Sequence, residues 1–145
     1  MAVERDYDEV KQTIFTAGAG NALQAAVASI VREPLEKVPN FLEDPSGYDK
    51  ACQAWLATRG MAWSKLVLED GRLPADAAAA SVGKLCVLRG TSPRGDHGHV
   101  VVARATPDGF HLLHDPFPGE PPAGGILMPP FVWAAVIDQA STGPA

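Results

Sequence analysis

The chain has 145 residues, 46% hydrophobic and 20% charged, with a formal net charge of −5 and two cysteines, Cys52 and Cys86. These values predict one domain spanning 1–145, because a chain of this size buries a sizeable core, and they speak against disorder, a disulfide framework or a CxxC zinc or redox site. No apolar run approaches the ~20 residues of a bilayer span. The start is acidic (Glu4, Asp6, Asp8, Glu9), and Lys and Arg are scattered singly. A cytoplasmic location without membrane or nucleic-acid partners is therefore expected.

Residues 1–11 read as a charged N-terminal arm or a short edge element. Thr16-Ala-Gly-Ala-Gly20 is a small-residue turn, and Asn21 is a natural N-cap for a helix over Ala22 to Val31, where Leu23, Ala26, Val27 and Ile30 recur at helical spacing. Pro34 and Pro39 bracket a short element over Leu35 to Val38. A helix is expected from Tyr48 to Thr58, with Ala51, Trp55 and Leu56 on one side and Gly60 as its stop. Trp63 to Leu68 alternates like a strand, Asp70-Gly71 signals a turn, and Pro74 to Ser81 is a helical turn or a loop. Lys84 to Leu88 is a short apolar strand, followed by a polar loop from Ser92 to Gly98 and a strand from His99 to Ala105. Pro107-Asp-Gly109 is a hairpin turn, Phe110 to His114 the returning strand, and Asp115-Pro116 its end. After a Pro-rich stretch from Phe117 to Pro130, Phe131 to Ile137 makes the last strand and 138–145 a C-terminal tail. Helices first and an antiparallel sheet second is the segregated α+β order.

Three features carry chemistry. A glycine turn feeds a helix N-terminus at Ala22, His99 opens a strand after a Gly-rich loop, and Asp115 ends the next strand. A hairpin centred on Asp108-Gly109 places His99 and Asp115 within a residue or two of facing each other, as a general base and its orienting carboxylate require. A helix N-terminus is also where a thiolate is best stabilised.

The segment Gln12-Thr-Ile … Gly20-Asn21-Ala22-Leu23-Gln24-Ala25-Ala26-Val27-Ala28-Ser29-Ile30 … Pro34-Leu35 … Val38-Pro39-Asn40-Phe41 resembles the opening of small papain-like cysteine peptidase-fold proteins of bacteria and their viruses. Their pattern there is Gly-Asn-Cys, an Ala/Ser-rich helix, Leu-Pro-Leu and Val-Pro-x-Phe. Ser92-Pro-Arg-Gly … His99-Val-Val-Val and His114-Asp115-Pro116 resemble the same family's His and Asp motifs, in the same order, so the resemblance runs from Gln12 to Ile137. It implies a papain-like fold, with the N-terminal helix packed on an antiparallel sheet. The implied activity is a thiol hydrolase or acyltransferase acting on an amide, peptide or isopeptide carbonyl through an acyl-enzyme, with no cofactor. By the same resemblance His99 shuttles the proton, Asp115 holds the imidazole, and the Gln12 side chain with the backbone N–H of residue 22 binds the oxyanion.

One position departs from the pattern. Ala22 stands where the family has its nucleophilic cysteine, so the chain is expected to be catalytically inactive, either through a Cys→Ala substitution or as a natural pseudoenzyme. A non-catalytic module binding a peptide or small ligand in the same cleft is the alternative. Asn21 and Phe117 are candidate substrate-lining residues, and Gln24 belongs either to the helix surface or to the cleft. His97, His99, His111 and His114 admit a rival metal site, disfavoured because alternation sets His111 and His114 on opposite faces. Cys52 and Cys86 read as buried packing residues, and either could serve as the thiol only by meeting His99, with Cys86 the better placed. Trp63, Trp133 and Phe131 are expected in the core.

Overall fold

Ala22–Val31 forms helix α1, whose Ala25, Ala26, Val27 and Ala28 are completely buried, the small side chains letting the helix lie close against the sheet. The computed structural model describes residues 6–15, 20–95, 97–120 and 125–139. Most of the Thr16-Ala-Gly-Ala-Gly20 turn, residues 121–124 of the Pro-rich stretch and residues 140–145 of the tail lie outside them.

After α1 the chain makes two 3-10 turns, Leu35–Lys37 and Phe41–Glu43, then helix α2 (Tyr48–Ala57), strand β1 (Met61–Val67) and a short helix α3 (Ala75–Ser81). Strands β2 (Leu85–Thr91), β3 (Gly98–Thr106), β4 (Gly109–His114) and β5 (Met128–Gln139) complete the chain. All five strands join one antiparallel sheet in the order β1-β5-β2-β3-β4. The α+β order therefore holds, and Pro74 to Ser81 is mainly helical. The expected 138–145 tail begins too early, because Ala62 and Met61 of β1 pair with Asp138 and Gln139. Residues 1–5 of the N-terminal arm lie outside the described residues, and residues 6–10 lie against α1 and β3. The Asp8 and Val10 amides donate to the carbonyl and hydroxyl of Ser29 on α1, and Asp6 pairs with Arg104 of β3.

The sheet is buried on both faces. On the helix side α1, α2 and Phe41 pack against Trp63, Val87, Val100, Val102, Trp133 and Ala135. On the other side Cys86, Leu88, Val101, Ala103, Ala134 and Val136 are closed over by Leu68, Leu73, Phe110, Leu127 and half-buried Phe131, which covers this second core rather than filling it. Among the described residues no helix is long and apolar enough to cross a membrane.

Candidate active site

The hairpin register brings the two acid–base candidates together. Val102 pairs with His114 across a bulge, so Asp115 leaves the end of β4 beside the start of β3. There His99 Nε2 donates to Asp115 Oδ1 at 2.6 Å, with both side chains more than nine-tenths buried. Burial alone would push the Asp115 carboxyl up. The hydrogen bonds from His99 and the Phe117 amide, with the charges of His99 and Arg94, outweigh it and hold the group below the ordinary carboxylate value. Asp115 is thus an ionised anchor for the ring. Arg94 reinforces the pair, with Nη2 at 3.3 Å from Asp115 Oδ2 and its guanidinium stacked 3.8 Å over the Phe117 ring. Because the hydrogen bond to Asp115 occupies Nε2, Nδ1 is the ring nitrogen left for chemistry.

That imidazole borders a cavity of about 350 Å³, whose walls include Gln12, Gly20, Ala22, Leu23, His97, His99 and Phe117. Three of the expected site residues, Gln12, Ala22 and His99, thus line one space, and Phe117 joins them as expected of a substrate-lining residue. Asp115 sits behind His99.

Asn21 does something other than expected. It makes no side-chain cap and does not line the cavity. Its Oδ1 accepts from the Thr13 and Ile14 amides at 2.9 and 2.7 Å, and its Nδ2 donates to Thr13 Oγ1 and Gln24 Oε1. The reason is topological: the 12–14 segment must fold back on α1, and its amide donors compete with those of the first helical turn for the same oxygen. Two consequences follow. The N-terminal N–H groups of α1, which have no intrahelical acceptors, receive no cap from Asn21, and the segment bearing Gln12 is tied to the helix start.

Gln12 reaches the cavity wall across the ten-residue gap that separates it from Ala22 in sequence. Its backbone N–H donates to Pro116 O at 2.8 Å and its Nε2 to Ile14 O at 2.9 Å, while its buried Oε1 has no partner among the described residues. Its second side-chain N–H has no acceptor among them either, and the residue lines the same cavity as Ala22. Gln24 belongs neither to the surface nor to the cleft, since Nε2 donates to the carbonyls of Leu35 and Val38 and fixes the first 3-10 turn.

Neither cysteine can stand in for a nucleophile here. Cys86 pairs with Ala103, four residues along β3 from His99 and so roughly 13 Å away, and points into the second core. Burial pushes its thiol up to about 12, and pushes the Cys52 thiol still higher. The histidines are dispersed as well: His114 Nε2 donates to Val10 O at 2.7 Å and His111 is exposed. Among the described residues no three His, Cys, Asp or Glu side chains are grouped to hold a metal ion.

The cavity also has walls that sequence reading passed over: Tyr48, Arg89, Arg94 and Trp133. Arg89 marks where an apolar strand was expected to stop at Leu88, and a charge continuing such a run was itself the signal. Tyr48 and Trp133, stacked at 5.8 Å and 17°, carried no local signal, since an aromatic pair from distant segments reads as core. No family model matches the chain, and no curated protein or solved structure matches it either.

Proposed function

We propose that the chain is a papain-like thiol hydrolase or acyltransferase scaffold, inactive as it stands because the nucleophile position holds Ala22. The observation that carries this reading is the buried His99–Asp115 hydrogen bond beside a cavity shared by Ala22, at the N-terminus of α1, and Gln12.

Each group has a role in that chemistry. A thiol at position 22 gives its proton to His99 Nδ1, and the helix terminus favours the thiolate. The sulfur attacks an amide, peptide or isopeptide carbonyl carbon, and the backbone N–H of residue 22 and the second side-chain N–H of Gln12 donate to the oxyanion; one such donor is typically worth ~10²–10³ in rate. Collapse expels the amine, which takes the proton back from His99 and leaves a thioester. Water or another acceptor, deprotonated by His99, then releases the acyl group. Asp115 holds the ring throughout.

The test is Ala22→Cys. With a p-nitrophenyl ester probe, the variant should retain one acyl group by intact mass, while the unmodified chain retains none. Adding His99→Ala should slow acylation by ~10²–10⁴. An Ala22→Cys protein that folds but acylates no faster than its His99→Ala double variant would sink the proposal. The second reading, a peptide- or ligand-binding module without catalysis, is favoured by Ala22 itself and by the burial of both thiols away from the cavity. It would then hold a ligand in the unmodified chain and gain nothing from the cysteine.

A further inference from the structure

Arg89 sits in the middle of the sheet, on β2, with Val100 of β3 and Trp133 of β5 as its cross-strand partners. Alternation from Val87 turns it to the helix side, where it lines the cavity beside Ala22 and is only partly exposed. Among the described arginines, Arg32, Arg59, Arg94 and Arg104 each meet a carboxylate, and Arg72 lies exposed at the surface. Arg89 has neither an ion pair nor a hydrogen bond among the described residues. A partly buried guanidinium on an apolar sheet face without an anion is costly, so the position is explained by a partner that the described residues do not supply.

The surroundings are built for that group. A Cβ added at Gly98 would fall 1.9 Å from Arg89 Nη2 and 2.4 Å from Cζ, so the guanidinium rests against the bare backbone of residue 98. The backbone there does not demand glycine by its torsion, but a Cβ at residue 98 would displace the guanidinium from this position. No described carboxylate lines the cavity, although the chain as a whole is acidic, and Arg94 adds a second cation to the wall.

We infer that this cavity takes a ligand bearing a carboxylate, bound by Arg89 in the two-pronged manner that guanidinium and carboxylate geometry favour. This deepens the acyl-transfer reading and rests on it for one point only: Arg89, Ala22 and His99 line the same cavity, so a carboxylate held by Arg89 belongs to the molecule whose carbonyl would react there. Two sources share this chemistry, an acidic side chain and a free chain terminus. The apolar walls, Leu23, Leu42, Tyr48 and Trp133, suit an organic body attached to the charge rather than a bare inorganic anion.

Binding and reaction are tested separately. For binding, the unmodified chain is titrated by calorimetry with N-acetylphenylalanine, with N-acetylphenylalanine amide and with N-acetylglutamate α-amide. The free acid reports a terminal carboxylate and the glutamate derivative an acidic side chain. At least one of the two should bind about tenfold or more tightly than the neutral amide. Arg89→Gln should abolish that preference, and so should Gly98→Ala, which displaces the guanidinium without removing it; Arg89→Lys should restore it only in part. For reaction, Ala22→Cys is offered acidic and neutral esters of one alcohol, and the acidic-to-neutral ratio of kcat/KM should fall about tenfold with Arg89→Gln.

Equal binding of charged and neutral probes, or a preference untouched by both Arg89→Gln and Gly98→Ala in proteins that keep their circular dichroism spectrum, overturns the carboxylate site. Arg89-dependent binding with an unreactive Ala22→Cys supports that site and defeats the acyl-transfer reading instead. Acylation that ignores probe charge leaves acyl transfer standing and defeats the carboxylate preference.

Discussion

Leu88 and Arg89 are neighbours on β2, yet they inhabit different environments. Leu88 is completely buried in an apolar layer with Cys86, Val101 and Ala134, closed over by loop and strand side chains. Arg89 faces the opposite way, onto the edge of a cavity bordered by the start of α1 and by His99, which Asp115 holds from behind. The closed face holds a thiol that burial makes inert. The open face holds the helix terminus where a thiol would be activated but carries Ala22 in its place. Both faces are packed, but among the described residues only the helix-side face carries a guanidinium without an anion and a buried Gln12 oxygen without a donor, as the proposed ligand site requires.

The largest effect expected from breaking this contrast lies on the closed face. Leu88→Ala should lower the unfolding free energy by ~2–5 kcal/mol, read by urea denaturation, because a completely buried leucine leaves a cavity that its neighbours fill only in part. A loss below about 1 kcal/mol would show that the layer rearranges freely. Asn21→Ala comes next: it strands the Thr13 and Ile14 amides and should cost ~1–3 kcal/mol. It should also loosen the segment bearing Gln12, visible as faster amide exchange at residues 12–14 with the centre of α1 unchanged.

Arg89→Met, one residue from Leu88, should carry the opposite sign. Replacing an unpaired charge by an apolar chain of similar length should leave stability unchanged or raise it by up to ~1 kcal/mol while removing carboxylate binding. A large loss of stability would mean that Arg89 is structural.

The smallest effect is on pH dependence. Burial is the main cause that holds His114 below the ordinary histidine value of 6.5, only partly offset by its hydrogen bond to the Val10 carbonyl. The unfolded chain therefore binds the proton more readily, so stability should fall as pH drops through about 6.5. Asp115 is also held below its ordinary value, so its contribution is present above 3.8 and is lost at lower pH, as its folded-state value is crossed. Thermal melts from pH 7.5 to 3 should show both losses, and His114→Gln should remove only the one at higher pH.

Much of this was legible in the chain because it depends on neighbours in sequence. The 3.6-residue spacing of Leu23, Val27 and Ile30, the alternating strands and the turn at Asp108-Gly109 each describe a local backbone preference, and the hairpin turn fixed the His99–Asp115 approach to within a bulge. The place of Ala22 at a helix start follows from the same spacing, whereas its reading as a nucleophile position came only from the family resemblance. What the tertiary structure alone decided are the contacts between distant segments. Asn21 spends its side chain on residues 13 and 14 rather than on its own helix, and the backbone of Gly98 makes room for a guanidinium from the next strand. Tyr48 and Trp133 meet only because β5 enters the middle of the sheet. Spacing along the chain predicts which groups a local turn brings together; which of two competing hydrogen-bond partners wins, and which charge is left without one, is settled only when all the segments pack at once.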